Sequence, residues 1–427
     1  MNKIKLLLLI FGLLNISVSI AQTAEPTGTI EIRAKAENLT GMANSGSEGI
    51  VSGLRIAALP ILRPGEIMEM VPGLIVTQHA GDGKANQYFL RGFNLDHGTD
   101  FATYVNGVPA NMPTHAHGQG YTDLNFLIPE LVDLIAYKKG TYSAMDGDFS
   151  AAGSARLEYR KSLDGHLAEV TAGANGYKRL LLAGSPKRQD GQWLYGLEVF
   201  KNDGPWLVPE NYQKLNGVLS YSDGTRLNGY SVTGMLYKSS WISTDQVPLR
   251  AINQGLIGRF GSLDPTTGGE THRYSVSSQW AQTGKDRQTK ANFWALDSAL
   301  DLWSNFEYCT GSIEKTGNCA AGDQFKQAEK RKAFGFGLSE ARYHQLSLLN
   351  SKYESAFTFG VDGRSDHIFP VGLYKTTRRA VTETVREDVV IQSSVSLAVV
   401  QMYADSNSNT TPTLQIYKDL NFADVIW

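Results

Sequence analysis

From about residue 160 onward, apolar and polar side chains alternate one for one, and the alternation restarts several times. In 214–222, Leu215, Gly217, Leu219 and Tyr221 fall on one side and Lys214, Asn216, Ser220 and Ser222 on the other. Residues 228–236 set Tyr230, Val232, Gly234 and Leu236 against Gly229, Ser231 and Thr233. In 273–280, Tyr274, Val276 and Trp280 oppose Arg273, Ser275, Ser277 and Gln279; in 353–362, Tyr353, Phe357, Phe359 and Val361 oppose Glu354, Thr358 and Asp362. A period of two predicts strands. The runs last about nine to eleven residues, the span of a tilted strand crossing a bilayer. Aromatics gather near strand ends, and long connections alternate with short turns such as 222–226. A soluble sandwich alternates too, but over shorter strands with the polar face in water. We take 161–427 as an incomplete antiparallel transmembrane β-barrel with an apolar exterior and a polar lumen, in a chain that is mainly β.

The preceding text has a different rhythm. Residues 51–160 read as a small α+β domain. A short helix is expected after Arg63, with Ile67, Met70 and Val71 on one side and a stop at Pro72-Gly73. Strands are expected within 87–92, 102–107 and 134–140, each ending at glycine, and a second helix from the spacing of Leu127, Ile128, Leu131, Leu134 and Ile135. Residues 22–50 are small and polar, a flexible arm with one strand-like run, Thr29, Ile30, Glu31, Ile32, Arg33, Ala34. Residues 1–21 read as a secretory signal peptide: Lys3 and Lys5, an apolar run from Leu6 to Leu14, then small Ser19 and Ala21.

Composition sharpens this picture. The chain has 427 residues, with 43 Gly, 19 Tyr, 17 Phe and 7 Trp against 19% charged residues, which suits an exported protein of many strands and turns. A net charge of −2 gives no reason to expect a nucleic-acid partner. The two cysteines, Cys309 and Cys319, sit in one polar segment, and an oxidising compartment favours a loop-closing disulfide.

Catalytic motifs fail on inspection. The Gly-Lys pair at 83–84 lacks the first glycine of a phosphate loop, since Gln78 stands there, and the following Ser or Thr, since Ala85 stands there. His115-Ala-His117 continues with Gln119 and Gly120 where some zinc hydrolases need aspartate and histidine, and no H-E-x-x-H or G-x-S-x-G occurs. No enzyme is expected, and no cofactor.

The segment from Leu62 to Tyr159 resembles the plug domain of TonB-dependent outer-membrane receptors. The residues that carry the resemblance are Pro72-Gly73 after a helix, Arg91-Gly92, the turn Asn106-Gly107, Lys139-Gly140, and a glycine-rich stretch containing Gly153. Asn106 replaces the usual aspartate, Thr141 a proline, and Ala152 a glycine; asparagine keeps the turn's left-handed tolerance. The resemblance implies a plug folded inside a barrel in the outer membrane of a Gram-negative bacterium, surrounded by its lipid, with the arm facing the periplasm. It implies import of a scarce ligand, a metal chelate such as a ferric siderophore being favoured, driven by TonB and its inner-membrane energising complex. Thr29–Ala34 resembles the TonB box, and an ordinary linker is the competing reading. Arg91 is expected as a buried ion-pair partner within the plug.

Such plugs turn their loops toward the ligand, which gives His115 and His117 a role to consider. Four of the eight histidines, His79, His97, His115 and His117, lie in the plug. The candidate ligand face comprises these four with Gln119 and Tyr121. His115 and His117 could coordinate Zn²⁺, Cu²⁺ or Ni²⁺, touch a chelate, or only hydrogen-bond nearby backbone. Ligand contact is favoured over bare coordination because no thiolate or second carboxylate lies near; Asp123 is the nearest candidate. The remaining length supplies roughly ten to twelve strands, where the resemblance implies twenty-two, so a truncated, transport-incompetent remnant or a receptor for a non-metal ligand is the alternative.

Overall fold

The computed structural model describes residues 46–427 apart from 79–80, 142–145, 187–190, 244–245, 311–312, 315–316, 318–321, 349–350, 406–413 and 427; along 345–348, 351–354, 401–405 and 414–426 it describes the backbone alone. The signal segment, Thr29–Ala34, His79 and Cys319 therefore lie outside the described residues.

The plug begins with β1 (Glu48–Ser52) and a one-turn helix α1 (Gly53–Ala57), capped by the Ser52 hydroxyl accepting the Arg55 N–H at 3.4 Å. A 3-10 helix, Pro64–Met70, leads into β2 (Leu74–Thr77), β3 (Gln87–Leu90) and β4 (Phe93–Asn94), which form a three-stranded sheet. The second sheet has the order β1-β7-β8-β5-β6, from β5 (Phe101–Val105), β6 (Val108–Pro109), β7 (Val132–Lys138) and β8 (Gly153–Tyr159). Ile67, Leu90, Leu127, Ile128, Leu131, Ile135 and Leu157 are fully buried between these layers. Each such side chain stabilises the fold by about 1.5–3 kcal/mol relative to leaving it in water.

Both expected helices need correction. The first is a 3-10 helix that buries Ile67 and Met68 and is followed by buried Val71, while Met70 packs only partly. The second shrinks to Pro129–Leu131, and Leu134 and Ile135 belong to β7, which pairs with β1 on one side and β8 on the other. A register shift between Val132 and Leu134 breaks the strand's alternation, and that irregularity imitates helical spacing in the sequence. Asn106 and Gly107, with φ of 46° and 77°, form the two-residue turn between β5 and β6. A Cβ on Gly107 would stand 2.7 Å from Asn292 Oδ1, so the barrel wall as well as the turn requires glycine there. Arg91 differs from expectation: its turn is exposed, and its guanidinium donates to the Lys139 carbonyl (3.4 Å) and Ser47 hydroxyl (3.3 Å) instead of a buried carboxylate.

Eleven strands then follow as a meander in which each is antiparallel to the next: β9 (His166–Ala172), β10 (Lys178–Gly184), β11 (Gln192–Asn202), β12 (Tyr212–Gly224), β13 (Gly229–Ile242), β14 (Gly268–Thr283), β15 (Arg287–Ser304), β16 (Phe325–Leu348), β17 (Ser351–Thr377), β18 (Ala380–Asp405) and β19 (Leu414–Ile426). A second one-turn helix, α2 (Leu249–Asn253), sits in the β13–β14 connection. Connections 203–211, 243–267 and 305–324 lie at one end of the sheet; 225–228 and 284–286 are short turns at the other. Burial is inverted as the alternation requires. Leu215, Leu219, Tyr230, Val232, Tyr274, Val276 and Trp280 are exposed, and Lys214, Asn216, Ser220, Thr233, Arg273 and Ser277 are buried. Several strands are longer than expected, up to 27 residues in β17. Two ion pairs, Lys375–Glu383 and Arg386–Asp388, lie toward the tip of the β17–β18 hairpin.

Polar lumen residues seat the plug. Arg179 grips Glu130 through two hydrogen bonds of 2.7 and 3.0 Å and Glu198 through a third of 2.7 Å; Arg226 meets Asp133 at 2.7 Å. Asn216 donates to the Asn125 carbonyl at 3.0 Å, and Asn292 to that of Gly107 at 2.9 Å.

Candidate functional site

Backbone polarity shapes the loop after β6. Asn111 is buried, accepts the Thr103 N–H at 2.7 Å, and donates to the carbonyls of Gly98 (3.0 Å) and Phe101 (3.1 Å). This single side chain ties the root of 111–121 to the loop carrying His97. The Met112–Tyr121 bridge closes the loop's neck, and Gly120, at φ 78°, makes the turn into it. The lumen holds the tip. Ala116 donates its N–H to Glu329 Oε2 at 3.1 Å, Thr114 donates its hydroxyl to Gln392 at 2.9 Å, and Arg364 donates to the Asn111 carbonyl at 3.0 Å. Arg331, itself paired with Glu329 (3.0 Å) and Asp366 (2.5 Å), donates to the Thr114 carbonyl.

Three histidines converge on Tyr121 in this cradle. His115 stacks on its ring, centroids 4.2 Å apart and planes 3° from parallel; His97 and His117 each stand 5.6 Å from it. His115 Nδ1 accepts the His117 backbone N–H at 3.1 Å, so its ring proton sits on Nε2, which faces Glu329 at 3.7 Å. Burial, then the charge of Arg331, holds His115 well below the usual imidazole range. His117 is only partly covered, and burial followed by its neighbour His97 lowers it to about 4. Its Nδ1 meets Gln327 Oε1 at 2.8 Å and its Nε2 meets His97 Nε2 at 3.0 Å. Both imidazoles are neutral at pH 7, the form that offers a lone pair.

The structure brings together a different pair of rings from the sequence pair His115 and His117. It is His97, twenty positions upstream, whose ring nitrogen faces that of His117; the lone pair of His115 is taken by backbone. Gln119 is exposed at the loop tip, and Tyr121 is buried, its hydroxyl accepting the Ala85 N–H at 3.2 Å. Asp123, raised to about 6 chiefly by burial, turns to the Asn125 N–H at 2.8 Å. Glu329 reaches His115 at 3.7 Å and Asp96 reaches His97 at 3.9 Å, and neither of them nor Gln327, Arg331, Arg364 and Asp366 was singled out. Among the described residues, no group of three or more His, Cys, Asp or Glu side chains is placed to hold a metal ion. A cavity of about 760 Å³ between plug and sheet near the short turn 225–228 is lined by none of these histidines. Cys309 is disulfide-bonded.

Residues 41–154 match the family model described as TonB-dependent Receptor Plug Domain. The chain resembles several solved structures in fold. Against the copper transporter OprC the TM-score is 0.61 at 13% identity, covering 91% of this chain and 60% of that one. Against the pyoverdine outer membrane receptor FpvA of Pseudomonas aeruginosa PAO1, bound to pyoverdine, it is 0.64 at 12% identity, covering 89% and 57%. Against the ferric yersiniabactin uptake receptor FyuA of Yersinia pestis it is 0.59 at 12% identity, covering 89% and 60%. The chain thus spans about three-fifths of the length of these receptors. These proteins are receptors and transporters, not enzymes. Residues 41–154 belong to the TonB-dependent receptor plug-domain family, and the chain as a whole has the plug-and-barrel fold of TonB-dependent receptors.

Proposed function

We propose that this protein imports a scarce metal chelate across the outer membrane of a Gram-negative bacterium, with TonB supplying the energy. The observation that carries the reading is the histidine loop 111–121, held near the start of β16, at the end of the sheet where the 305–324 connection arrives. Long connections face outward in outer-membrane barrels and short turns face the periplasm, which puts His97, His117 and exposed Gln119 toward an arriving ligand. Receptors of this fold that carry copper and ferric siderophores lend the ligand class.

The arm 22–50, with Thr29–Ala34 as TonB box, is the proposed coupling element, since an extended alternating segment can add to a partner's sheet edge. Metal accumulation in metal-starved cells expressing the chain, with and without TonB and with Ile30→Pro, tests the reading. TonB-dependent accumulation of at least one transition metal, lost in Ile30→Pro, is expected. Equal accumulation in all three strains would overturn it and favour a transport-incompetent remnant.

A further inference from the structure

Hydrogen-bond roles around His97 and His117 can be assigned from acceptors that cannot donate. His97 Nδ1 faces the carbonyls of Ala85 (3.1 Å) and Asn86 (3.2 Å), so Nδ1 carries the proton and Nε2 the lone pair. Gln327 Nε2 donates to the Ala116 carbonyl at 2.8 Å, which fixes the amide and leaves its oxygen toward His117 Nδ1. His117 Nδ1 therefore carries a proton too. With both rings neutral, the two Nε2 lone pairs face each other across 3.0 Å, an arrangement that a proton or a metal ion between them relieves.

Nitrogens 3.0 Å apart with centroids 4.7 Å apart are too close for an end-on arrangement of two imidazoles. The two rings meet at an angle, their planes tilted by 51°, with the Nε2 atoms as their point of approach. Each Nδ1–H is held by an oxygen acceptor, the outer arrangement that orients metal-binding histidines.

We infer that His97 and His117 form a two-imidazole half-site for a borderline divalent metal ion with two open coordination positions, whose remaining ligands come from its own chelator or water. Asp96, whose carboxylate lies 3.9 Å from His97 Nε2 and is more than half exposed, adds negative charge at the open side; buried Lys84 opposes it. His115 is not a ligand here. The site's purpose rests on the import reading above, but its chemistry does not.

The test is Cu²⁺ alone, titrated into the purified full chain in detergent at pH 7.5, with calorimetry for affinity and electron paramagnetic resonance for ligand count. Two nitrogen couplings are expected. His97→Gln and His117→Gln should each weaken binding at least tenfold, and His166→Gln, on the remote β9, should leave it unchanged. Gln327→Leu keeps both rings but frees His117 Nδ1 to give up its proton to Nε2; a loss of about ten- to a hundredfold is expected. Circular dichroism on each variant separates lost ligands from lost fold. No Cu²⁺ binding by the intact chain, or undiminished binding by folded His97→Gln, His117→Gln or Gln327→Leu, overturns the inference. TonB-dependent accumulation without such binding leaves import standing and this site refuted; binding without accumulation does the reverse.

Discussion

Arg331 Nη1 and Asp366 Oδ1 stand 2.5 Å apart on the neighbouring strands β16 and β17, both side chains buried, while the same guanidinium reaches the Thr114 carbonyl of the plug. One barrel arginine thus serves two partners, an acidic neighbour in the wall and the backbone of the histidine loop. Glu329, which also pairs with Arg331, holds the next peptide through the Ala116 N–H. The loop's shape is imposed by the barrel as much as by its own sequence.

Removing Arg331 leaves Glu329 and Asp366 buried with less compensation, and breaking a buried pair costs about 3–5 kcal/mol. Arg331→Met is expected to lower the urea midpoint strongly and to expose 111–117 to limited proteolysis. The exposed pair Lys375–Glu383 is the control: Lys375→Met should change stability by less than about 1 kcal/mol. Tryptophan emission during urea unfolding in detergent reads both. Equal effects from the two substitutions would remove the buried network from any role in seating the plug.

Asn111 makes a sharper local case. Asn111→Ala strands the buried Thr103 N–H, at a cost of about 1–3 kcal/mol, and leaves the Gly98 and Phe101 carbonyls with the Phe101 N–H and the Thr103 hydroxyl as their remaining donors. Hydrogen exchange should rise at Thr103 and across 97–121 while the strands 212–242 keep their protection. Unchanged exchange at 97–121 would mean the loop is held by the barrel alone.

Glu210 offers a pH signature. This buried carboxyl in the 203–211 connection accepts the Asp82 N–H at 3.2 Å and the Trp206 indole N–H at 2.5 Å, and burial, then Asp82, raises it to about 7 from an ordinary 4.5. A raised folded value means the native state binds the proton more tightly, so stability from this group is present below 4.5 and lost as pH rises through about 7. Glu210→Gln should therefore be more stable than the unaltered chain at pH 8 and lose that advantage by pH 5. Thermal midpoints at the two pH values check this; an advantage of the same size at both would show that the carboxyl is not protonated in the folded chain.

What the sequence could and could not reveal follows from the range of each interaction. The alternation of Leu215 and Leu219 with Lys214, Asn216 and Ser220 is a property of one strand, so barrel faces were readable without a partner. Asn106-Gly107 was readable because a two-residue turn carries its own chemistry. The spacing of Leu127, Ile128, Leu131 and Ile135 misled because a strand with a shifted register imitates a helix over a few residues. The His97–His117 contact was not readable at all, since a loop bound by Asn111 brings those rings together. Gln327, Glu329 and Arg331 stayed hidden for another reason: Lys326 and Lys330 on the opposite face are charged too, and the amphipathic signal vanishes where the lumen wall is most polar.

The most direct test of the plug-in-barrel reading is electrophoresis of fractionated membranes from expressing cells, with and without boiling, probed with an antibody to the plug. We expect the protein in the outer-membrane fraction, migrating faster unboiled than boiled because a hydrogen-bonded barrel resists unfolding by detergent. Recovery in the soluble fraction, or a band indifferent to boiling, would contradict an assembled outer-membrane receptor.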